Sequence, residues 1–253
     1  MPTTPCKLLT PADRYRRRVH EDPSRRGAPA TSARSDADLV RDPRSIAFVA
    51  IALLATVAAL TVVVAANTTT PPFLQGLDDG WRRRVLSWPD WTRSLGDLFE
   101  QVGAGIIMVP LRIVVAAWLG VRGRRWDLAA WLLGWLMADL LTALLKPGLA
   151  RERPTPIDPD NPFTSFPSAH AKTAAQVAIG LVLVLTHPRG RRRWWYAIAL
   201  AWVVLMSLSR TVLDHHWLSD VVAGSMLGAG CMLLVAATVQ TVRARRAPEL
   251  RDG

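Results

Sequence analysis

Residues 46–66 of the chain read IAFVAIALLATVAALTVVVAA, an apolar run of 21 residues that contains no charged side chain. A helix of this length crosses the hydrocarbon core of a bilayer, which is about 30 Å thick. Similar apolar runs follow at about 102–121, 126–146, 171–187, 194–211 and 218–240. The sequence therefore predicts an all-α, polytopic membrane protein with six transmembrane helices.

Polar segments flank these runs at both ends of the chain. Residues 1–44 are rich in Arg, Asp, Ser and Pro, so we predict that they form a disordered, basic cytoplasmic tail. Residues 45–242 form the predicted membrane domain, and residues 243–253 form a second cytoplasmic tail. The first apolar run is too long and too far from the N-terminus for a signal peptide, so we expect it to remain as an anchor.

Residues 67–101 separate the first two predicted spans and hold Trp81, Trp88 and Trp91 at near-helical spacing among charged residues. This pattern predicts an amphipathic hairpin that lies at the extracytoplasmic interface and is broken at Pro89. Two roles remain open for the hairpin. It is either an aromatic anchor in the interface or a wall past which a lipid tail enters.

The formal net charge is +11, and most of the excess arginine lies in the tails and in short loops between apolar runs. Arginine in these places sets topology and meets anionic headgroups, so we expect membrane lipids and not nucleic acid as partners. Six alternating spans place 21 Lys and Arg residues on the side of the two termini and 8 on the other side. The positive-inside rule then predicts a multi-pass protein of the cell membrane with both termini in the cytoplasm.

Three short motifs lie at the ends of apolar runs, all on the predicted extracytoplasmic side. They are Lys146-Pro-Gly-Leu-Ala-Arg-Glu-Arg153-Pro154, Pro167-Ser168-Ala169-His170, and Ser209-Arg210 followed by His216 and Asp220. Together they supply three cations, two imidazoles and one carboxylate, which can move a phosphoryl group without a metal or another cofactor. The pattern therefore favours phosphoryl transfer at a membrane surface.

The Pro-Ser-Ala-His motif opens the fourth predicted span. Ser168 is suited to cap that helix, which would leave the amides of Ala169 and His170 aimed outward at the positive end of the helix dipole. Free amides at a helix N-terminus bind anions, so the motif predicts a phosphate site.

His216 and Asp220 are four residues apart at the start of the sixth predicted span. On one helix face the carboxylate can accept the proton of one imidazole nitrogen, which leaves the other nitrogen as a nucleophile. The neighbouring His215 has Ser219 four residues on and lacks such a partner. We therefore expect His215 to be a packing or interfacial residue.

The three motifs resemble those of the type 2 phosphatidic acid phosphatase superfamily of lipid phosphate phosphatases, and the six-span layout is similar to its membrane branch. The motif region covers residues 146–220, and one departure is Ala169, where the family usually has Gly. The resemblance implies that His216 is the nucleophile, Asp220 its orienting partner and His170 the general acid. It also implies a set of phosphate ligands, namely Lys146, Arg153, Ser168, Arg210 and the backbone amide at Ala169.

We therefore expect a metal-independent membrane phosphatase that acts on a lipid phosphate or diphosphate at the extracytoplasmic face through a phosphohistidine. The motifs read only the phosphate, so phosphatidic acid, phosphatidylglycerol phosphate and polyprenyl diphosphate all remain candidate substrates, and oligomeric state stays open. One alternative is a catalytically silent protein that binds lipid phosphates. Another is a vanadate-dependent haloperoxidase, against which the strongly apolar spans argue.

Some charged residues outside the three motifs also lie inside predicted spans, among them Arg112, Asp139 and Lys172. Arg112 lies ten residues and Asp139 seven residues from the outer ends of their spans. Because a helix rises by ~1.5 Å per residue, their depths in the membrane differ by only about 5 Å. A lone charge at such depth is costly, so we expect Arg112 and Asp139 to pair and to brace the helix that carries Lys146. Lys172 lies one turn into the fourth span, where we expect its side chain to snorkel to the interface.

Overall fold

The computed structural model of the protein describes residues 42–66, 73–103, 105–155, 165–185 and 192–249. Every regular element in these ranges is an α-helix, which confirms the all-α prediction. The eight helices are α1 Pro43–Ala66, α2 Phe73–Leu86, α3 Trp91–Gly103, α4 Gly105–Val121, α5 Arg125–Leu149, α6 Ala169–Leu185, α7 Arg192–Val212 and α8 Leu218–Glu249. The predicted disordered tail lies outside the described residues up to position 41.

Within the described ranges, four helices are long and apolar enough to cross a membrane, namely α1, α5, α7 and α8. A fifth candidate span consists of α3 and α4 taken together, which meet at a bend of 43°. Helix α6 is apolar but only 17 residues long. Large apolar side chains point outward from these helices, and Phe48 of α1 is 74% exposed. A multi-pass membrane protein explains this exposure, because lipid tails cover the apolar surface.

The segment predicted as an interfacial hairpin contains α2 and α3 in its described part. The two helices flank a turn at residues 87–90 that includes Pro89. Buried Val85 anchors α2, and Trp81 packs edge-on against Trp88 with ring centroids 6.1 Å apart. Helix α3 ends at Gly103, two residues past the predicted end of the hairpin, and α4 begins at Gly105. The segment therefore joins the second apolar run instead of ending before it.

Helix α8 has the most extensive packing in the bundle, against α1, α6 and α5. Its close approach to α6 depends on Gly224 and Gly228, which lie four residues apart on one face of α8. A Cβ built on Gly224 would come well under 3.0 Å from the carbonyl oxygen of Ser168, and one on Gly228 would approach the carbonyl oxygen of Lys172 equally closely. This small-residue spacing is typical of tight helix packing in membranes, and it fixes Asp220 against the start of α6.

We expect Gly228→Ala to separate α8 from α6, because the added methyl group meets backbone atoms that cannot rotate away. The expected result is a lower melting temperature in detergent. The matched control is Gly76→Ala in α2, where a built Cβ meets nothing within 4 Å. Thermal unfolding in detergent compares the two variants. Equal melting temperatures for Gly228→Ala and the wild type would contradict the packing argument.

Candidate active site

The three motifs meet at one end of the bundle, where α5 ends, α6 begins and α7 turns into α8. The backbone amide of Ser168 donates to the carbonyl oxygen of Asp220 at 3.0 Å, which joins the second motif to the third. Nη1 of Arg153 donates to the carbonyl oxygen of His215 at 2.9 Å, which joins the first motif to the third. The structure thus brings residues from all three motifs into one cluster.

His216 lies in the turn between α7 and α8, two residues before α8 begins, and not on the helix itself as we predicted. Its Nε2 is 3.1 Å from Nη1 of Arg153. A guanidinium can only donate, so Nε2 accepts and the proton of the neutral ring resides on Nδ1. Burial lowers the pKa of His216 to about 4, so the ring remains neutral from neutral pH down to about that value. The lone pair of Nε2 therefore faces a cation, where an anionic substrate would bind.

The Asp220 carboxylate is fully buried on the Nδ1 side of this ring. Its Oδ2 lies 3.5 Å from Nδ1 of His216 and accepts hydrogen bonds from the Trp217 amide at 2.9 Å and from the Ser165 hydroxyl. A separation of 3.5 Å is longer than a normal hydrogen bond. In this geometry Asp220 holds the tautomer of His216 mainly through its charge.

Two of the predicted phosphate ligands carry buried polar atoms that the protein leaves unpaired. Arg210 is 1% exposed, and its Nη1 donates to Glu100 at 3.0 Å. Its Nε and Nη2, together with Oγ of Ser168, have no hydrogen-bond partner among the described residues. Ser168 therefore does not cap α6 through its side chain, contrary to our expectation. Because buried polar groups are normally satisfied, these atoms indicate a site for an anion.

His170 lies in the first turn of α6, directly after Ala169, which opens the helix. A Cβ built on Gly103 would meet Cδ2 of His170 at 3.2 Å and the thioether of Met206 still closer, so α3, α6 and α7 converge at this point. Arg210 and His216 both lie close enough to interact electrostatically with His170. The second imidazole therefore lies within electrostatic range of the first.

Lys146 lies in the last turn of α5 and is half-buried. Its ammonium interacts electrostatically with Arg153, Asp220 and Lys172. All three predicted phosphate-binding cations, Lys146, Arg153 and Arg210, therefore reach the same cluster of groups. A concentration of positive charge around a neutral imidazole is suited to holding a phosphate for nucleophilic attack.

Three functional candidates at this site were missed by the sequence reasoning. Arg151 donates to Asp220 and to Asp78, and Glu100 accepts from Arg210. Arg151 lies inside the first motif, so its place in the sequence could have marked it as a candidate site residue. Asp78 and Glu100 lie on α2 and α3, where nothing in the charge pattern distinguishes them from the other acidic residues nearby.

Deeper in the bundle, Arg112 and Asp139 form the ion pair expected from their depths, with Nη1 and Oδ2 3.3 Å apart. Lys172 does not snorkel as we expected. It is buried and donates to the other oxygen of Asp139. The guanidinium of Arg112 also stacks 3.6 Å from the ring centre of Trp135 and donates to Thr173 at 3.1 Å. One carboxylate thus holds two cations, one from α4 and one from α6.

Comparisons with known proteins agree with this arrangement. Residues 127–244 match the profile of the PAP2 superfamily. The chain is 31% identical over 157 residues to phosphatidylglycerophosphatase B of Bacillus subtilis, covering 60% of this chain and 77% of that protein. It is 34% identical over 73 residues to an undecaprenyl-diphosphatase of Sulfolobus acidocaldarius, covering 29% of this chain and 32% of that protein.

Among solved structures, the fold is similar to that of a transmembrane PAP2-type phosphatidylglycerolphosphate phosphatase from Bacillus subtilis. The TM-score is 0.62 at 26% identity, and the match covers 78% of this chain and 96% of that chain. The similarity in sequence and in fold agrees with the arrangement of the three motifs in one site. The chain belongs to the PAP2 superfamily.

Proposed function

We propose that this protein is a membrane phosphatase that hydrolyses a lipid phosphate or diphosphate through a phosphohistidine, without a metal. One observation carries the proposal. Oγ of Ser168 and Nε and Nη2 of Arg210 are buried and unpaired within the described part of the chain, close to a neutral His216. These donors and this nucleophile are what a phosphate ester needs in order to bind and react.

The reaction proceeds in two steps at His216. Its Nε2 attacks phosphorus and the bond from phosphorus to the lipid oxygen breaks. His170, whose protonated form the bound anionic phosphate favours, gives its proton to the departing oxygen. Asp220 stabilises the positive charge that His216 gains, because its carboxylate faces Nδ1 at 3.5 Å. Water then attacks phosphorus, His170 takes a proton from that water, and the bond to Nε2 breaks to release inorganic phosphate.

Cations of the protein stabilise the phosphate throughout this reaction. Lys146, Arg153 and Arg210 surround the group, and the amides at the start of α6 add the positive end of a helix dipole. As negative charge shifts among the phosphate oxygens, fixed donors stabilise it without reorganising. We therefore expect the reaction to need no divalent metal. Arg153, which contacts Nε2 of His216 at 3.1 Å, is the cation nearest to the attacking atom.

The site and the relatives both support a lipid phosphate or diphosphate as the substrate class. The described groups recognise the phosphate, and the relatives named above act on phosphatidylglycerophosphate or undecaprenyl diphosphate by their names. The candidate substrates are therefore phosphatidic acid, phosphatidylglycerol phosphate and polyprenyl diphosphate. All three have lipid tails that remain in the bilayer while the phosphate enters the end of the bundle.

We propose that this end of the bundle faces the extracytoplasmic side, with six spans and both termini in the cytoplasm. The excess of Lys and Arg on the side of the termini supports this orientation. Six spans require α3 with α4 to act as one span and α6 to act as another. At ~1.5 Å per residue the 17 residues of α6 extend about 26 Å, close to the thickness of the hydrocarbon core.

The test is release of inorganic phosphate from the three candidate lipids by the purified protein in detergent, with EDTA in excess. We expect turnover of at least one lipid without added metal, and inhibition by orthovanadate, which mimics the five-coordinate phosphorus of the transition state. The matched control is Arg210→Met, which removes a cation and keeps an apolar chain. Binding of the lipids without release of phosphate would indicate a silent binding protein, and strict dependence on Mg²⁺ would rule out the proposed mechanism.

A further inference from the structure

We propose that Asp78 on α2 and Arg151 are positioning residues that hold the Asp220–His216 pair in its reactive geometry. This inference rests on the proposed function and deepens it. It assigns a role in the reaction to α2, which lies outside the residues 127–244 that match the family. A chain of buried hydrogen bonds runs from α2 to Asp220, whose carboxylate faces the ring of the nucleophile.

Asp78 is 1% exposed although it belongs to a short helix on the outside of the bundle. Its Oδ1 accepts from the backbone amide of Ser219 at 2.9 Å, and its Oδ2 accepts from the Ser219 hydroxyl at 2.6 Å. Ser219 is the second residue of α8, so its amide is among those that no carbonyl of the same helix can satisfy. Asp78 therefore caps α8 from another helix, one residue before Asp220.

Arg151 connects the two carboxylates. Its Nη2 donates to Oδ2 of Asp78 at 2.7 Å, and its Nη1 donates to Oδ1 of Asp220 at 2.5 Å and to the Ser219 hydroxyl at 2.7 Å. Two buried carboxylates thus share one guanidinium, which also donates to the hydroxyl that Asp78 binds. Such a charge-assisted network fixes the plane of the Asp220 carboxylate, which leaves Oδ2 facing the ring of His216.

The charge of Asp78 matters as well as its hydrogen bonds. Without Asp78, the Arg151 guanidinium would pair with Asp220 only and would neutralise much of its negative charge. Asp220 would then stabilise the imidazolium of His216 less. Asp78 shares this cation, so more of the charge of Asp220 remains effective at Nδ1. A neutral residue at position 78 could keep one hydrogen bond to Ser219 but could not balance Arg151.

A second contact from α2 supports the same role. Arg82 makes a two-point ion pair with Asp214, at 2.7 Å from Nε and 2.6 Å from Nη2. Asp214 lies two residues before His216 and also accepts from the Thr155 hydroxyl at 2.6 Å. Helix α2 therefore holds the chain on both sides of His216, through Asp214 before it and through Ser219 after it.

The experiment measures kcat and KM for Asp78→Asn with the best lipid substrate, together with the melting temperature in detergent. We expect kcat to fall by about 10- to 100-fold, because the nucleophile and its partner lose their alignment. KM and the inhibition constant of inorganic phosphate should stay within about twofold of the wild type, since no phosphate ligand is changed. Asp78→Glu, which keeps the charge, should recover part of kcat. The matched control is Asp79→Asn on the same helix, which should leave both constants unchanged.

A purely structural role would instead lower the melting temperature and the folded yield while the folded fraction kept a normal kcat. If Asp78→Asn does not fold, Ser219→Ala removes only the shared hydroxyl and should still lower kcat at constant KM. If the wild type is active and both variants keep its kcat, this inference is wrong, but the proposed function still stands. A wild type without turnover on the whole lipid panel overturns the proposed function and this inference with it.

Discussion

His216→Ala should reduce turnover of every lipid substrate by at least about 10⁴-fold, because the variant lacks the atom that attacks phosphorus. The effect should be the same for poor and good leaving groups, since no phosphohistidine forms with either. Phosphate release measured with purified, folded protein in detergent gives the ratio of rates. The matched control is His215→Ala, which removes the neighbouring imidazole but keeps the backbone carbonyl that accepts from Arg153.

His170→Ala should behave differently, although its loss with a natural lipid should also reach about 10²- to 10⁴-fold. An activated ester has a leaving group that departs without a proton, so it should restore the first step in this variant. Steady-state rescue should remain partial, because the second step still lacks the base that activates water. Equal rescue of His170→Ala and His216→Ala, or loss of activity in His215→Ala as severe as in His216→Ala, would contradict the assigned roles.

Asp139→Leu should destabilise the protein by about 3 kcal/mol or more, because it leaves Arg112 and Lys172 without their shared carboxylate inside the bilayer. The Asp139 side chain is 44% exposed, and we expect acyl chains and not water at that surface, because Asp139 lies inside an apolar helix long enough to cross a membrane. Arg112→Met should cost less, since Lys172 still neutralises Asp139. The measurements are folded yield and melting temperature in detergent.

The cluster of Arg112, Asp139 and Lys172 predicts an order of stability among the combined variants. The double variant Arg112→Met with Asp139→Leu should recover only part of the loss, because Lys172 remains unpaired. Adding Lys172→Met should recover most of it. The matched control is Asp127→Leu on the same helix. It breaks the pair with Arg124, whose side chain is more exposed than that of Arg112 or Lys172, and should cost less than about 1 kcal/mol. A double-mutant cycle without coupling energy between Arg112 and Asp139 would show that the pair does not stabilise the fold.

Much of the fold could be predicted because the apolar runs are long and the breaks between them are clear. The predicted span 126–146 corresponds to α5 at residues 125–149, and the predicted span 171–187 to α6 at residues 169–185. The α3–α4 unit was harder to predict. Helix α3 is amphipathic and α4 is apolar, so hydropathy distinguishes only α4 as a span. The predicted second span therefore begins at residue 102, near the end of α3.

The motif residues could be assigned to one site because each lies at the end of a predicted span on the same side. The errors arose where a residue's partner belongs to another helix. Lys172 was expected to snorkel because the reasoning considered only its own helix, whereas Asp139 of α5 reaches it. Ser168 was expected to cap α6, but its hydroxyl is buried without a hydrogen-bond partner among the described residues, and its carbonyl oxygen packs against α8 at Gly224.

Asp78 shows the limit of sequence reasoning most clearly. It lies in a helix of mixed charge, where Asp79 and several arginines are equally plausible as exposed residues. Only the fold reveals that Asp78 meets the first turn of α8, 141 residues away in the chain. The glycines at positions 224 and 228 are a different case, because their spacing of four residues is visible in the sequence and predicts close helix packing.

Trapping the covalent intermediate tests the central claim most directly. His170→Ala is mixed with an activated phosphate ester and quenched at high pH, where phosphohistidine is stable, and the modified peptide is located by mass spectrometry. We predict a phosphoryl group on His216, which accumulates because the variant lacks the base that the second step needs. Turnover of the ester without any modified His216, or a phosphoryl group on Ser168 or His215 instead, would contradict the account.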